Sequence, residues 1–164
     1  FVDEGATVVT HQMNRAYYET AWAAPRTLNP DRLSRSKKAA MFQTVTDRAV
    51  LTDGTRNVEI HRIANNPHND GFLMVYLPAE KILIEADAYT PAAPAPPPAA
   101  EGGRQGGGNA MAPRPAPTVS PTTLNLYQNI QRLELDVAQI AALHGPRLAT
   151  MKDLATAAGR PGTN

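Results

Sequence analysis

The chain has 164 residues, with 16 Lys and Arg against 15 Asp and Glu, and no Cys. The net charge of +1 argues against a dedicated nucleic-acid binder, which gathers a basic excess on one face. Disulfides, thiolate catalysis and Cys-ligated zinc are excluded, and no apolar run reaches the ~18–20 residues of a membrane-spanning helix.

Phe1 leads straight into acidic and strand-like sequence, with no basic leader region. The chain starts without Met, so it reads as beginning inside a longer protein. Ala6–Thr10 is a short β-branched run that fits a buried strand. Asn14–Ala24 carries Ala16, Tyr17, Ala21 and Ala24 at helical spacing, and Pro25 ends it. Tyr17, Tyr18 and Trp22 share a helix face suited to packing. Residues 26–40 are polar and basic (Arg32, Arg35, Lys37, Lys38) and read as a solvated loop. Phe42–Leu51 is strand-like, and Asp53-Gly54 is a hairpin turn signal. Asn57–Ile63 alternates apolar and polar residues, which predicts a half-buried strand with His61 in solvent. Asn65–Gly71 is a dense turn cluster. Phe72–Leu77 and Lys81–Ile84 read as consecutive strands, joined tightly through Pro78 and packed in a sheet with covered faces. Met13, Met74 and Met151 read as core residues.

Residues 91–121 hold nine Pro and five Gly. Such a composition buries too little apolar surface to offset its ordering entropy, so it reads as a disordered spacer or loop expansion. Pro94–Pro98 also resembles a ligand for a proline-reading domain. Thr122 and Thr123 then read as helix caps. Leu126, Ile130, Leu133 and Val137 follow on one helical face. Gln139–Leu143 reads as a strand, and Thr150 caps a last helix, Met151–Ala158, closed by Gly159. The order predicts an α/β layered architecture. The 122–164 piece is too small to bury its own core and needs the first piece.

The chemistry-bearing residues are His and Asp at strand ends. His68 sits in the Asn65–Gly71 turn, Asp87 lies just past the Lys81–Ile84 strand, and His144 ends the Gln139–Leu143 strand. Imidazole and carboxylate both suit zinc with a position left open for water. Residues of these types at strand ends also serve as structural or solvent-exposed groups. His11, at the end of Ala6–Thr10, reads as structural.

The stretch from Asn66-Pro67-His68 through Tyr76-Leu77-Pro78 and Lys81 to Ala86-Asp87 resembles the second half of the metallo-β-lactamase superfamily. There a turn His precedes a strand, a Tyr-Leu-Pro-x-x-Lys hairpin and a strand ending in Gly-Asp or Ala-Asp. Leu143-His144-Gly145 resembles the family's final His-Gly. Glu4–His11 resembles the strand that follows its His-x-His-x-Asp-His motif. The resemblance implies the C-terminal part of an αββα sandwich, made of 1–90 and 122–164 around a 91–121 insertion. It implies that His68 completes a first metal site, that Asp87 bridges two metals and that His144 binds the second. It also implies zinc, up to two ions in a full-length parent, and hydrolysis of a small-molecule substrate by a metal-bound hydroxide.

The His-x-His-x-Asp-His motif itself is absent, so this chain alone offers three of the ligands. Half a sandwich is also expected to leave an apolar sheet face uncovered and the isolated chain unstable. The alternative is a non-catalytic module of the same fold whose Pro-rich segment recruits a partner.

Overall fold

The computed structural model describes residues 1–94 and 119–160. The middle of the Pro/Gly-rich stretch, residues 95–118, lies outside them. Strand β1 (Thr7–His11) pairs in parallel with β2 (Met41–Val45) as a separate two-stranded sheet. Between these strands lie helix α1 (Arg15–Ala23) and the short helix α2 (Arg32–Ser36). The basic stretch 26–40 is therefore not all loop. Asp31 starts α2 by accepting the Ser34 N–H at 2.7 Å. A five-residue helix is too short to show an apolar period.

The single strand expected over Phe42–Leu51 is two. After β2 the chain leaves one sheet and enters the other as β3 (Arg48–Thr52). Six strands follow in sheet order: β3, β4 (Asn57–Arg62), β5 (Leu73–Leu77), β6 (Ile82–Glu85), β7 (Gln139–Ala142) and β8 (Ala149–Thr150). All neighbours are antiparallel except β6 and β7. The Asp53-Gly54 turn joins β3 to β4, with Gly54 at φ 91°, a left-handed conformation that glycine adopts freely. The two-residue strand β8 is too short to read from sequence.

Helix α3 (Pro121–Arg132) starts earlier than the Thr pair suggests. Ser120 is its N-cap residue and Pro121 its first residue, where a missing N–H costs nothing. It also ends earlier, with Leu133 as its C-cap residue. Leu126 and Ile130 project from the helix, whereas Leu133 and Val137 reach the same core from beyond its end. The apolar period therefore runs on after the helix has stopped.

The register fixes two sheet faces, because alternate residues point to opposite sides. On one face Met74, Tyr76, Leu83, Ile140 and Ala149 pack with Leu126, Ile130 and Leu154 of the helices. Leu83, Leu126, Ile140 and Leu154 are completely buried. The other face presents Leu51, Val58, Leu73, Val75, Leu77, Ile82 and Ile84, half-buried, around Ile60, which is 5% exposed. The expectation that both faces are covered is thus met fully on the helical side and only around Ile60 on the other.

His61 corrects the reading of β4. It lies on the helix-covered side and is 4% exposed, not solvated. The polar residues Glu59 and His61 point toward the helices, while Val58 and Ile60 point to the other face, where Ile60 is itself buried. The strand is therefore buried on both faces at Ile60 and His61. His61 survives burial by donating from Nε2 to Glu59 Oε2 at 2.8 Å, and Arg48 donates to the other oxygen at 2.9 Å. Met74 is core and Met151 packs against it, but Met13 is more than half exposed. Tyr17 is also exposed, whereas Trp22 stacks on Tyr18 and Phe42.

The final helix α4 (Met151–Ala157) opens with a reciprocal cap. Thr150 Oγ1 accepts the Asp153 N–H at 3.2 Å, and Asp153 accepts the Thr150 N–H at 2.8 Å. Arg147 forks onto the same carboxylate at 3.1 and 3.2 Å and, with Thr150, holds it well below the usual carboxylate range. Thr150→Ala should cost about 1 kcal/mol of stability. An unchanged thermal midpoint by circular dichroism would show that the cap contributes nothing.

Candidate functional site

Asp87, two residues past β6, lies between two imidazoles from different parts of the chain. His144 Nδ1–H donates to Asp87 Oδ1. His68 Nε2 stands 3.7 Å from Asp87 Oδ2, beyond hydrogen-bond distance but close enough for electrostatic attraction. All three side chains are accessible, at 42% for Asp87, 53% for His68 and 64% for His144. The structure thus gathers the three residues singled out in the sequence at one end of the sheet's central strands.

Each is placed by local chemistry. β6 and β7 run parallel with Glu85 opposite Ala142, so the turns that follow these strands emerge side by side. This brings His144 to Asp87 across 57 residues. Gly145 follows His144 closely against Pro91; a Cβ there would meet the Pro91 ring at 2.8 Å. Pro91 is fully buried and Arg147 Nε donates to Ala92 O at 3.1 Å, so the start of the Pro-rich stretch is packed structure.

The turn carrying His68 is held from α3. Asn129 accepts the Ala64 N–H at 2.9 Å and donates to Ala64 O at 3.0 Å. Asn125 donates to Ala64 O and Asn65 O, and Asn66 donates to Asn125 Oδ1 at 3.1 Å. Asn66 in turn accepts the His68 N–H at 2.8 Å. From the other side, Asn14 donates to Gly71 O at 3.1 Å. Sequence reading missed these residues. The one available signal is that Asn125 and Asn129 sit four apart on a helix, where both face the same partner.

Glu85 was also missed. It is 2% exposed, at the inward position of β6 two residues before Asp87. One carboxylate oxygen accepts the Ala88 N–H at 2.8 Å and the Tyr89 N–H at 3.2 Å, which fixes the turn behind Asp87. Burial pushes its carboxyl up to about 7, against the lowering effect of the two N–H donors.

The donor chemistry can be tested against a metal. With Nδ1–H given to Asp87, the neutral His144 ring keeps its Nε2 lone pair free, the usual state of an imidazole ligand oriented by a carboxylate. His68 and Asp87 add a second imidazole and a carboxylate, a set that suits zinc chemically. As placed, however, no group of three His, Cys, Asp or Glu is arranged to hold a metal ion among the described residues. The arrangement is a carboxylate paired to imidazoles, and donors enough for part of a centre only. His11 belongs elsewhere: it is 2% exposed, donates from Nε2 to Thr46 O at 2.9 Å and accepts the Met13 N–H on Nδ1.

No family model matches the chain, and no curated relative matches its sequence. Solved structures do match it. A metallo-β-lactamase from Pontibacter korlensis aligns over 96% of this chain and 58% of its own, at 16% identity and TM-score 0.53. A metal-soaked flavodiiron core from Synechocystis aligns over 94% and 36%, at 14% identity and TM-score 0.58. Rubredoxin oxygen:oxidoreductase from Desulfovibrio gigas aligns over 94% and 36%, at 13% identity and TM-score 0.52. The fold is that of the metallo-β-lactamase superfamily. The chain spans between about a third and three fifths of the lengths of these solved proteins.

Proposed function

We propose that this chain, with its metallo-β-lactamase fold, supplies part of a metal-dependent hydrolytic centre. His68, Asp87 and His144 are its donors. The observation that carries the reading is the meeting of two imidazoles on one accessible carboxylate, from turns far apart in sequence. In this reading the metal is zinc, and the remaining donors come from sequence outside this chain. The half-buried apolar face of the six-stranded sheet supports that extension, because a further layer on it would complete a sandwich.

A metal held by His68, Asp87 and His144 with further donors would supply Lewis-acid activation of water and of the scissile bond of a small-molecule substrate. The chain's own part is positional. Asp87 holds the His144 tautomer that leaves Nε2 free. Asn66, Asn125 and Asn129 anchor the turn from which His68 projects, and Glu85 anchors the turn behind Asp87. The substrate class is not fixed by the fold, which carries many chemistries.

The test is zinc binding by calorimetry on the chain and on His68→Ala and His144→Ala variants. Each substitution should weaken binding at least about tenfold, as loss of a ligand or of its orienting partner does. Unchanged binding in both variants would sink the proposal and favour a non-catalytic module of the same fold.

A further inference from the structure

A concavity lies away from Asp87, between α1, α2 and β2. It has a volume of about 610 Å³, within the range of small-molecule sites. Its floor is formed by Trp22, Leu33 and Phe42, each half-buried, and its mouth carries Arg26, Lys37 and Lys38.

The floor is preorganised. Trp22 stacks on Phe42 at 5.8 Å with 12° between ring planes, and on Tyr18 at 5.0 Å. Arg15 covers the Phe42 ring at 5.4 Å. An indole and a phenyl held this way need no ligand to order them, yet they remain open to the groove. Leu33 is fixed by the turn that closes α2, where the Lys37 N–H donates to Leu33 O at 2.8 Å. That bond also fixes the backbone of Lys37 at the rim.

The rim is one-signed. None of Arg26, Lys37 and Lys38 forms an ion pair within 4 Å among the described residues, though Arg26 acts on Asp31 and Lys38 on Asp3 from farther off. Arg26 donates only to Ala21 O at 3.3 Å, and Lys38 to the backbone oxygen of Asp3. The single acid lining the groove is Glu19, already paired with Arg15 at 2.7 Å. The neighbouring Arg32 is likewise occupied by Asp3 and Glu4.

An apolar floor beneath a net-positive rim is complementary to one kind of molecule. We propose that this groove binds a soluble amphiphilic carboxylate, its apolar body on Trp22, Leu33 and Phe42 and its charge beside Arg26 and Lys37. Concavity is the reason to choose a single small molecule over a lipid surface. A membrane-docking face projects its apolar side chains outward, whereas these three line a hollow.

Trp22 is the only Trp in the chain, so its emission reports from the groove itself. Decanoate, below its micellar concentration, should change Trp22 fluorescence saturably, and decanol should bind more weakly. Arg26→Gln combined with Lys37→Gln, both exposed substitutions, should weaken decanoate about fivefold and leave decanol unchanged. Leu33→Asp, with its fold checked by circular dichroism, should abolish both responses. A chelator should have no effect, which separates this groove from the Asp87 cluster. Three results would overturn the proposal: no saturable response, equal binding of decanoate and decanol with no effect of the double substitution, or a response to anionic vesicles but not to free decanoate.

Discussion

Leu83→Ala should lower the unfolding free energy by about 2–5 kcal/mol, whereas Ile84→Ala should cost about 1 kcal/mol. The two residues are neighbours on β6 and differ by little more than the face they occupy. Leu83 is completely buried, stands between Tyr76 and Ile140 in the register, and packs in the core beneath α3. Truncating it leaves a cavity that rigid strands on both sides cannot close. Ile84 stands between Val75 and Ala141 on the opposite face and is only half-buried. Its truncation forfeits part of a transfer free energy and leaves no enclosed void. Urea unfolding followed by far-UV circular dichroism measures both changes. Nearly equal costs would mean that the second face is covered in solution. A dependence of the Ile84→Ala cost on protein concentration would then identify self-association as the cover.

Stability of the metal-free chain should fall as pH rises through the range set by Glu85. Its carboxyl titrates at about 7 in the fold, against 4.5 in the unfolded chain, because burial disfavours the charged form. The folded state therefore holds the proton more tightly. The resulting stabilisation is complete below pH 4.5 and is lost as pH rises through about 7. The shift corresponds to at most about 3 kcal/mol. The carboxylates with lowered values act in another window. Asp53, held at about 2 by the N–H groups of Arg56 and Thr55, and Asp153, beside Arg147, lose their contribution only on acidification. Glu85→Gln keeps an acceptor for the Ala88 and Tyr89 N–H groups but cannot ionise. The difference between wild type and Glu85→Gln, measured by urea unfolding at several pH values, should change by up to that amount between weakly acidic and neutral pH. A difference that stays constant with pH would show that Glu85 is not the titrating group.

The layered α/β character was legible because β4, β5 and β6 carry strand-like runs broken by strong turn signals at Asp53-Gly54, Asn65–Gly71 and Pro78. Thr150 announced the last helix through a cap that the structure contains. The meeting of His68, Asp87 and His144 followed from resemblance, since spacing alone does not bring positions 57 residues apart together. Other features were illegible for physical reasons. Alternation in β4 shows that two faces differ but not which one the helices cover, and here the helices cover the polar face while Ile60 is buried on the other. Thr46 and Asp47 separate two strands of different sheets in two residues, with no Gly or Pro to mark the change. Val137 continues the apolar period of α3 because the loop beyond the helix fills the same core. The Asn residues that hold the His68 turn act through tertiary hydrogen bonds, which leave no periodic trace.

The parallel pairing of β6 with β7 has a consequence for how this chain tolerates change in length. A parallel neighbour cannot be reached by a tight hairpin, so a long connection has to close before β7 can dock. That connection includes α3, and docking therefore covers the core and delivers His144 to Asp87 in a single event. The closure entropy grows only with the logarithm of the connection, by about 0.6 kcal/mol for each doubling. Lengthening the connection beyond the packed Pro91 and Ala92 therefore carries a small closure cost, while a shift of a single position in β7 would turn Ile140 away from the core and displace His144.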